Sequence, residues 1–164
     1  MTTDYKAMAE AQARQSPCTR RKVGAVIVHP VGWKFFGHNH STDGGPCECE
    51  RGITRSSVVH AEEAAIWSAH SVDLAGAVLY VTHQPCIRCA RLIVARGISA
   101  VHYRDPDDKT DGLQTLLDAG VKAARWPTQQ QVDREFFMRH GSSLGPRELE
   151  ALGGHPNRIV RGMD

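Results

Sequence analysis

Two short stretches of this sequence carry residue types that bind and use a transition metal. His60-Ala61-Glu62 offers an imidazole and a carboxylate two positions apart, and Pro85-Cys86-Ile87-Arg88-Cys89 offers two thiols in Cys-x-x-Cys spacing. Imidazole and thiolate are preferred zinc ligands. At a helix start both sulfurs can face one ion, and the positive end of the helix dipole helps hold them as thiolates. Three protein ligands, His60, Cys86 and Cys89, leave the fourth tetrahedral position for water, whereas a closed structural site would use four. Glu62 lies near enough to reach that water without ligating the metal, where a carboxylate can take a proton and return it elsewhere. The plainer readings are a structural zinc site or a redox pair. A thioredoxin-like Cys-x-x-Cys, however, leaves His60-Ala61-Glu62 without a purpose.

These stretches need elements that bring them to one point. Helix formers fill Asp4 to Gln15 and Pro17 stops them. The β-branched run Val23 to Val28, a turn at His29-Pro30-Val31-Gly32 and the run Trp33 to His38 predict a hairpin. Residues 39–57 have no apolar period, and a loop of that length in a compact domain is usually functional. His60 to His70 predicts a helix, Ala77 to Thr82 a strand, and Cys86 to Arg96 a helix stopped by Gly97. Ile98 to Tyr103 is a strand, Leu113 to Ala119 a helix stopped by Gly120, and Val121 to Trp126 the last strand. The separation of 26 between His60 and Cys86 holds one helix and one strand. Both helix starts then fall at the same end of a sheet, where open α/β sheets place their sites. The tail predicts a helix over Gln130 to His140, with Val132, Phe136 and Phe137 inward, and a short one over Pro146 to Leu152.

A chain of 164 residues and 18.0 kDa predicts a single domain over 1–164, with its core at about 4–126 and a C-terminal extension at 127–164. The net charge of +2, from 20 Lys+Arg against 18 Asp+Glu, argues against a general polyanion binder and makes nucleic acid an unfavoured partner. No apolar run approaches the ~20 residues of a membrane span. The N-terminus lacks a secretory pattern, so the expectation is a cytoplasmic protein with no membrane partner. Its five cysteines, odd in number, read as metal ligands, catalytic thiols or buried hydrophobes rather than disulfides.

The pattern H-x-E … P-C-x-x-C resembles the zinc nucleobase deaminases. Within them the sequence is similar to the cytidine/deoxycytidylate deaminase family and its deoxycytidylate (dCMP) deaminases. The resemblance runs from about Met8 to Trp126. It is carried also by Ser16-Pro17-Cys18-Thr19-Arg20-Arg21-Lys22-Val23-Gly24-Ala25, by Gly37-His38-Asn39 (with His where the family has Tyr), by Gly97-Ile98-Ser99-Ala100-Val101-His102-Tyr103, and by Leu116-Leu117-Asp118-Ala119-Gly120-Val121. Two positions depart from the family: Ala64 stands where an Asn is common, and Arg104-Asp105-Pro106-Asp107 stands where a further Tyr is frequent.

The resemblance implies an α/β fold, a three-layer α/β/α sandwich around a mixed, mostly five-stranded sheet. It implies zinc-dependent deamination of dCMP to dUMP and ammonia, supplying dUMP for dTMP synthesis. His60, Cys86 and Cys89 would hold Zn2+ and Glu62 would shuttle protons. Arg20, with Thr19 or Arg21, would hold the 5′-phosphate, Asn39 would hydrogen-bond the sugar, and the backbone at Gly24 and Ala25 would line the base pocket. Some phage members carry a second zinc, which Cys18 with Cys47 or Cys49, and His38 or His40, would rebuild. Relatives also imply a homo-oligomer, a hexamer above all, with dCTP and dTTP as effectors and Mg2+ accompanying the triphosphate.

Bland readings stand beside these. Cys18 reads equally as a buried small hydrophobe, Arg20-Arg21-Lys22 as a solvated turn, and Asn39 as a turn residue. Competing functions are a deaminase of another cytosine or adenine nucleotide, nucleoside or nucleic acid, and a non-catalytic zinc-binding module. His70, His83, His102, His140 and His155 show no partner pattern.

Overall fold

The computed structural model describes residues 4–44, 47, 49–50, 53–54 and 56–126, with side chains at 49–50 and 53–54 left aside. The first helix, α1 (Tyr5–Gln15), begins at Asp4, whose carboxylate accepts from the Lys6 and Ala7 backbone N–H groups at 3.1 and 3.0 Å. This satisfies two of the amides a helix start leaves open. The hairpin β1 (Gly24–Val28) and β2 (Lys34–His38) follows, in register from Gly24 opposite His38 to Val28 opposite Lys34. Then come the short ladders β3 (His40–Ser41) with β6 (Val58–Val59) and β4 (Cys49–Glu50) with β5 (Ile53–Thr54). The region expected to be an unbroken loop is therefore folded in part.

Beyond it lie α2 (Ala61–Ser68), β7 (Val78–His83), α3 (Ile87–Ala95), β8 (Ala100–Asp105), α4 (Asp111–Asp118) and β9 (Lys122–Arg125). The main sheet runs β2-β1-β7-β8-β9. Strand β1 pairs antiparallel with both neighbours, while β7, β8 and β9 are parallel. The expected mixed five-stranded sheet is present, and each parallel pair spans one crossover helix.

Strand β1 reads as a continuous apolar run because both of its faces are covered. Ala25 and Ile27 pack with Ala61, Ala65 and Ile66 of α2, while Val26 packs on the other face with Ala9 of α1. Successive strand side chains alternate sides, so a strand between two helical layers must be apolar throughout. The largest core group, including Leu74, Leu79, Val81, Ile93 and Val101, lies between the sheet and the α2, α3 and α4 layer. Gly112, in the first turn of α4, touches the Pro85-Cys86 backbone so closely that a Cβ there would collide with the Pro85 carbonyl. Only glycine lets α4 buttress the turn that starts α3.

The described residues belong to one unit ending at Trp126. The helices expected over Gln130–His140 and Pro146–Leu152 lie outside the described residues. No helix among the described residues is long and apolar enough to cross a membrane.

Candidate metal centre and its cavity

The chain leaves β6 and enters α2 at His60, the residue that caps the helix in extended conformation. Cys86 occupies the same position at the start of α3, after β7. Cap residues stand outside the helical cylinder, so their side chains project beyond the helix end. His60 Nδ1 lies 3.5 Å from Cys86 Sγ and 3.4 Å from Cys89 Sγ. All three ligand atoms fall within 4.8 Å of one another. A tetrahedral zinc with bonds of about 2.3 Å to sulfur and 2.0–2.1 Å to nitrogen sets N···S separations near 3.6 Å. The donor set therefore fits zinc without rearrangement.

The electrostatics fit as well. Hydrogen bonding from Cys89, and then from His60, pulls the Cys86 thiol down to about 3 against the cost of its burial. Cys89 is fully buried, and the Cys86 sulfur and burial push its thiol upward. The pair thus carries one thiolate before any ion binds, and His60 is raised by its hydrogen bond to Cys86. Glu62, second in α2 and only 4% exposed, is pushed up to about 7, chiefly by burial, with His60 partly opposing.

Metal-free protein should react with iodoacetamide first at Cys86, which is exposed, rather than at buried Cys89. Because the thiolate is already formed, the rate should stay nearly flat between about pH 5 and pH 8, and zinc should protect. Mass spectrometry of the labelled peptides reads the order; a rate rising steadily to about pH 9 would mean an ordinary thiol.

A cavity of about 380 Å³ opens over this group. His60, Glu62 and Cys86 line it together with Arg20, Arg21 and Asn39, so one space joins the metal group to the first-motif residues. Asn39 is 9% exposed and clamps the loop that carries the arginines. Its Oδ1 accepts from Ser16 Oγ (2.7 Å) and Val23 N (2.8 Å), and its Nδ2 donates to the Arg21 carbonyl (2.8 Å).

Thr19 is exposed and Gly24 and Ala25 are buried, and none of the three lines the cavity. Gly24 instead sits against the α1 backbone, where a Cβ would collide with Ala9 and Ala13, and its N–H donates to Thr82 Oγ1 at 3.1 Å. Ala25 belongs to the core.

The second metal group is overturned at two of its three cysteines. Cys18 and Cys47, with Cα atoms 4.9 Å apart, form a disulfide buried with Val58. Their sulfurs are spent on each other, against the expectation of free thiols. The Cys49 side chain lies outside the described residues. His40 Nδ1 donates to the His38 carbonyl (3.0 Å), and His38 Nδ1 faces Gln12 Oε1 (3.5 Å).

Cavity residues that the sequence left without a role include His83, Gln84, Asp107 and Lys109. His83 Nε2 lies 2.6 Å from Arg21 Nη1 and 3.0 Å from Asp107 Oδ2, and Arg21 Nη1 donates to the same oxygen at 3.3 Å. The Lys109 backbone N–H, then His83, hold the Asp107 carboxyl down to about 2. Gln84, 5% exposed, ties this loop down by donating to the Lys109 carbonyl (3.0 Å) and accepting from the Asp107 N–H (3.3 Å). The signal available beforehand was position: His83 ends β7 and Asp107 lies two residues past β8, at the carboxyl ends of adjacent parallel strands.

Residues 1–104 match the family model for the cytidine and deoxycytidylate deaminase zinc-binding region. The chain belongs to the cytidine and deoxycytidylate deaminase family. The deoxycytidylate deaminase of Mycobacterium phage D29 is 38% identical over 115 residues, covering 60% of this chain and 90% of that one. Human deoxycytidylate deaminase is 31% identical over 132 residues, covering 71% and 74%. The crystal structure of dCMP deaminase from the cyanophage S-TIM5, in complex with dCMP and dUMP, superposes with a TM-score of 0.68 at 34% identity, covering 74% of this chain and 93% of that one. The family match spans both stretches that carry the candidate ligands.

Proposed function

We propose that this deaminase converts dCMP and water to dUMP and ammonia. The observation that carries the reading is a zinc-shaped ligand triangle with buried Glu62 on the wall of a cavity that also holds Arg20 and Arg21. Zinc held by His60, Cys86 and Cys89 would supply a Lewis acid that makes water a nucleophile at neutral pH. Glu62 would take the proton from that water as the oxygen adds to C4 of the base. It would pass one proton to N3 and help protonate the amine as the C4–N bond breaks, leaving a carbonyl and free ammonia. In the metal-free protein burial already raises the Glu62 carboxyl to about 7, the direction expected of a group that must both take and return a proton. Asn39, which lines the same cavity, would hydrogen-bond the sugar through its remaining amide hydrogen.

Kinship with dCMP deaminases supports the rest of this reading: a cytoplasmic homo-oligomer, a hexamer first, that supplies dUMP for dTMP synthesis, with dCTP and dTTP, accompanied by Mg2+, as effectors. One observation favours a second reading, in which the substrate is the uncharged nucleoside. Asp107 places a carboxylate against Arg21 at the cationic side of the cavity.

The two readings separate on charge. A charge-assisted contact to phosphate is worth about 1.5–3 kcal/mol, a factor of roughly 10–150 in kcat/KM. Arg20→Ala or Arg21→Ala should impair dCMP by that factor and leave deoxycytidine turnover nearly unchanged. Parallel steady-state assays of ammonia release on both substrates measure it. Equal losses on the two would indicate a folding role, and wild-type preference for deoxycytidine would favour the nucleoside.

A further inference from the structure

The candidate metal ligands come from two helices, and one ion pair joins those helices at their N-terminal ends. Arg88 stands on α3 between Cys86 and Cys89. Its Nη2 donates to Glu63 Oε2 in the first turn of α2 at 2.7 Å, and to the Val58 carbonyl at 3.3 Å. The same Glu63 oxygen accepts the backbone N–H of His60 at 3.0 Å. A continuous path of hydrogen bonds therefore runs from the residue between the two cysteines to the backbone of the histidine.

The path is built for geometry rather than for substrate, since neither Arg88 nor Glu63 lines the cavity. The Glu63 side chain is 13% exposed and that of Arg88 is 50%. The carboxylate end is thus shielded from water, unlike the solvated pairs that contribute almost nothing. Glu63 also meets the positive end of the α2 dipole and the amide of the cap residue His60, which fix its position independently of Arg88. Arg88 then attaches α3 and the start of β6 to that fixed point. Its guanidinium presents a planar set of donors, so it sets a direction as well as a distance.

We propose that Arg88 and Glu63 are positioning residues that strap the N-termini of α2 and α3 together, so that the spacing of His60 from Cys86 and Cys89 is set before zinc binds. The inference rests on the zinc reading above. Partners that orient metal ligands from outside the coordination shell commonly change metal affinity about 10–100-fold when removed. With the strap cut, the ligands remain but the two helix ends no longer hold them at tetrahedral spacing, and the ion leaves faster.

The test measures zinc release from the full-length loaded protein into excess chromophoric chelator. Arg88→Ala should release zinc at least about tenfold faster than wild type. Glu63→Gln, which keeps an acceptor for the His60 N–H, should also accelerate release. The double variant should be no faster than the faster single, because both changes cut one link. Arg88→Lys, which restores charge but not the planar donors, should fall between wild type and Arg88→Ala. With zinc in excess, kcat per bound ion and KM for dCMP should stay within about twofold of wild type, as expected for groups that touch no substrate. Arg91→Ala, an exposed arginine on the same helix, serves as the control and should release zinc at the wild-type rate. Should Arg88→Ala fail to fold, Arg88→Lys and Glu63→Gln carry the comparison. Release from Arg88→Ala within twofold of wild type, or a double variant whose acceleration is the product of the two singles, overturns the strap while leaving the zinc reading intact. A wild-type protein that retains no zinc overturns both.

Discussion

Glu62→Gln should fold, keep its zinc and lose at least ~10²-fold in dCMP turnover, the low end for removing a general acid–base group. Gln matches the size of Glu and sits in the same buried position but cannot accept a proton from water. The pH response supplies a second signature. Burial raises the Glu62 carboxyl from its ordinary 4.5 to about 7. Between those values the folded state binds more protons than the unfolded state. The contribution of Glu62 to stability is therefore greatest below about 4.5, declines as pH rises towards 7 and is lost above it. Gln itself has no such dependence. In metal-free samples the melting temperature of Glu62→Gln should thus gain on wild type as pH goes from about 5 to 8. Turnover within tenfold of wild type would remove Glu62 from the mechanism, and a melting difference flat in pH would contradict its buried, raised carboxyl.

Cys89→Ala and His60→Ala should each strip the protein of most of its zinc and abolish measurable deamination. Wild type should carry about one zinc per chain by elemental analysis, and the variants only a small fraction. The effect is large because two remaining donors cannot hold a tetrahedral ion against water, and because Cys89 lies fully buried where no outside group can replace it. Cys86→Ala should behave alike, though its exposed position admits partial rescue by an added thiol. Full zinc in both Cys89→Ala and His60→Ala would reject the site. A count of two zinc ions in wild type would contradict the Cys18–Cys47 disulfide.

Much of this was readable along the chain because it is governed by local rules. The hairpin, the three later strands and the four helices follow from apolar runs, capping residues and proline stops, which act over a few residues. Their observed limits differ from expectation by one or two positions at most ends: His60 and Cys86 cap their helices rather than beginning them, and β8 starts at Ala100 rather than Ile98. The ligand triad was readable for the same reason. Two residues at one helix start and one at another, separated by a helix and a strand, are brought to the same sheet end by connectivity alone.

What the sequence by itself determined is the element order, the side-chain chemistry of His60, Glu62, Cys86 and Cys89, and the family those residues mark. Only the tertiary structure decided which distant groups meet. Cys18 found Cys47 across a separation of 29, so a metal pair became a disulfide. His83 met Asp107 across 24 positions and Arg21 across 62, which turned an unassigned histidine into part of the cationic side of the cavity. Gly24 proved to be a helix contact rather than a pocket wall, and Arg88 proved to bridge two helices to Glu63. Caps and strand runs act over a few residues and leave a pattern in the chain. A contact between residues far apart depends on how whole elements pack, and packing writes no period into the sequence.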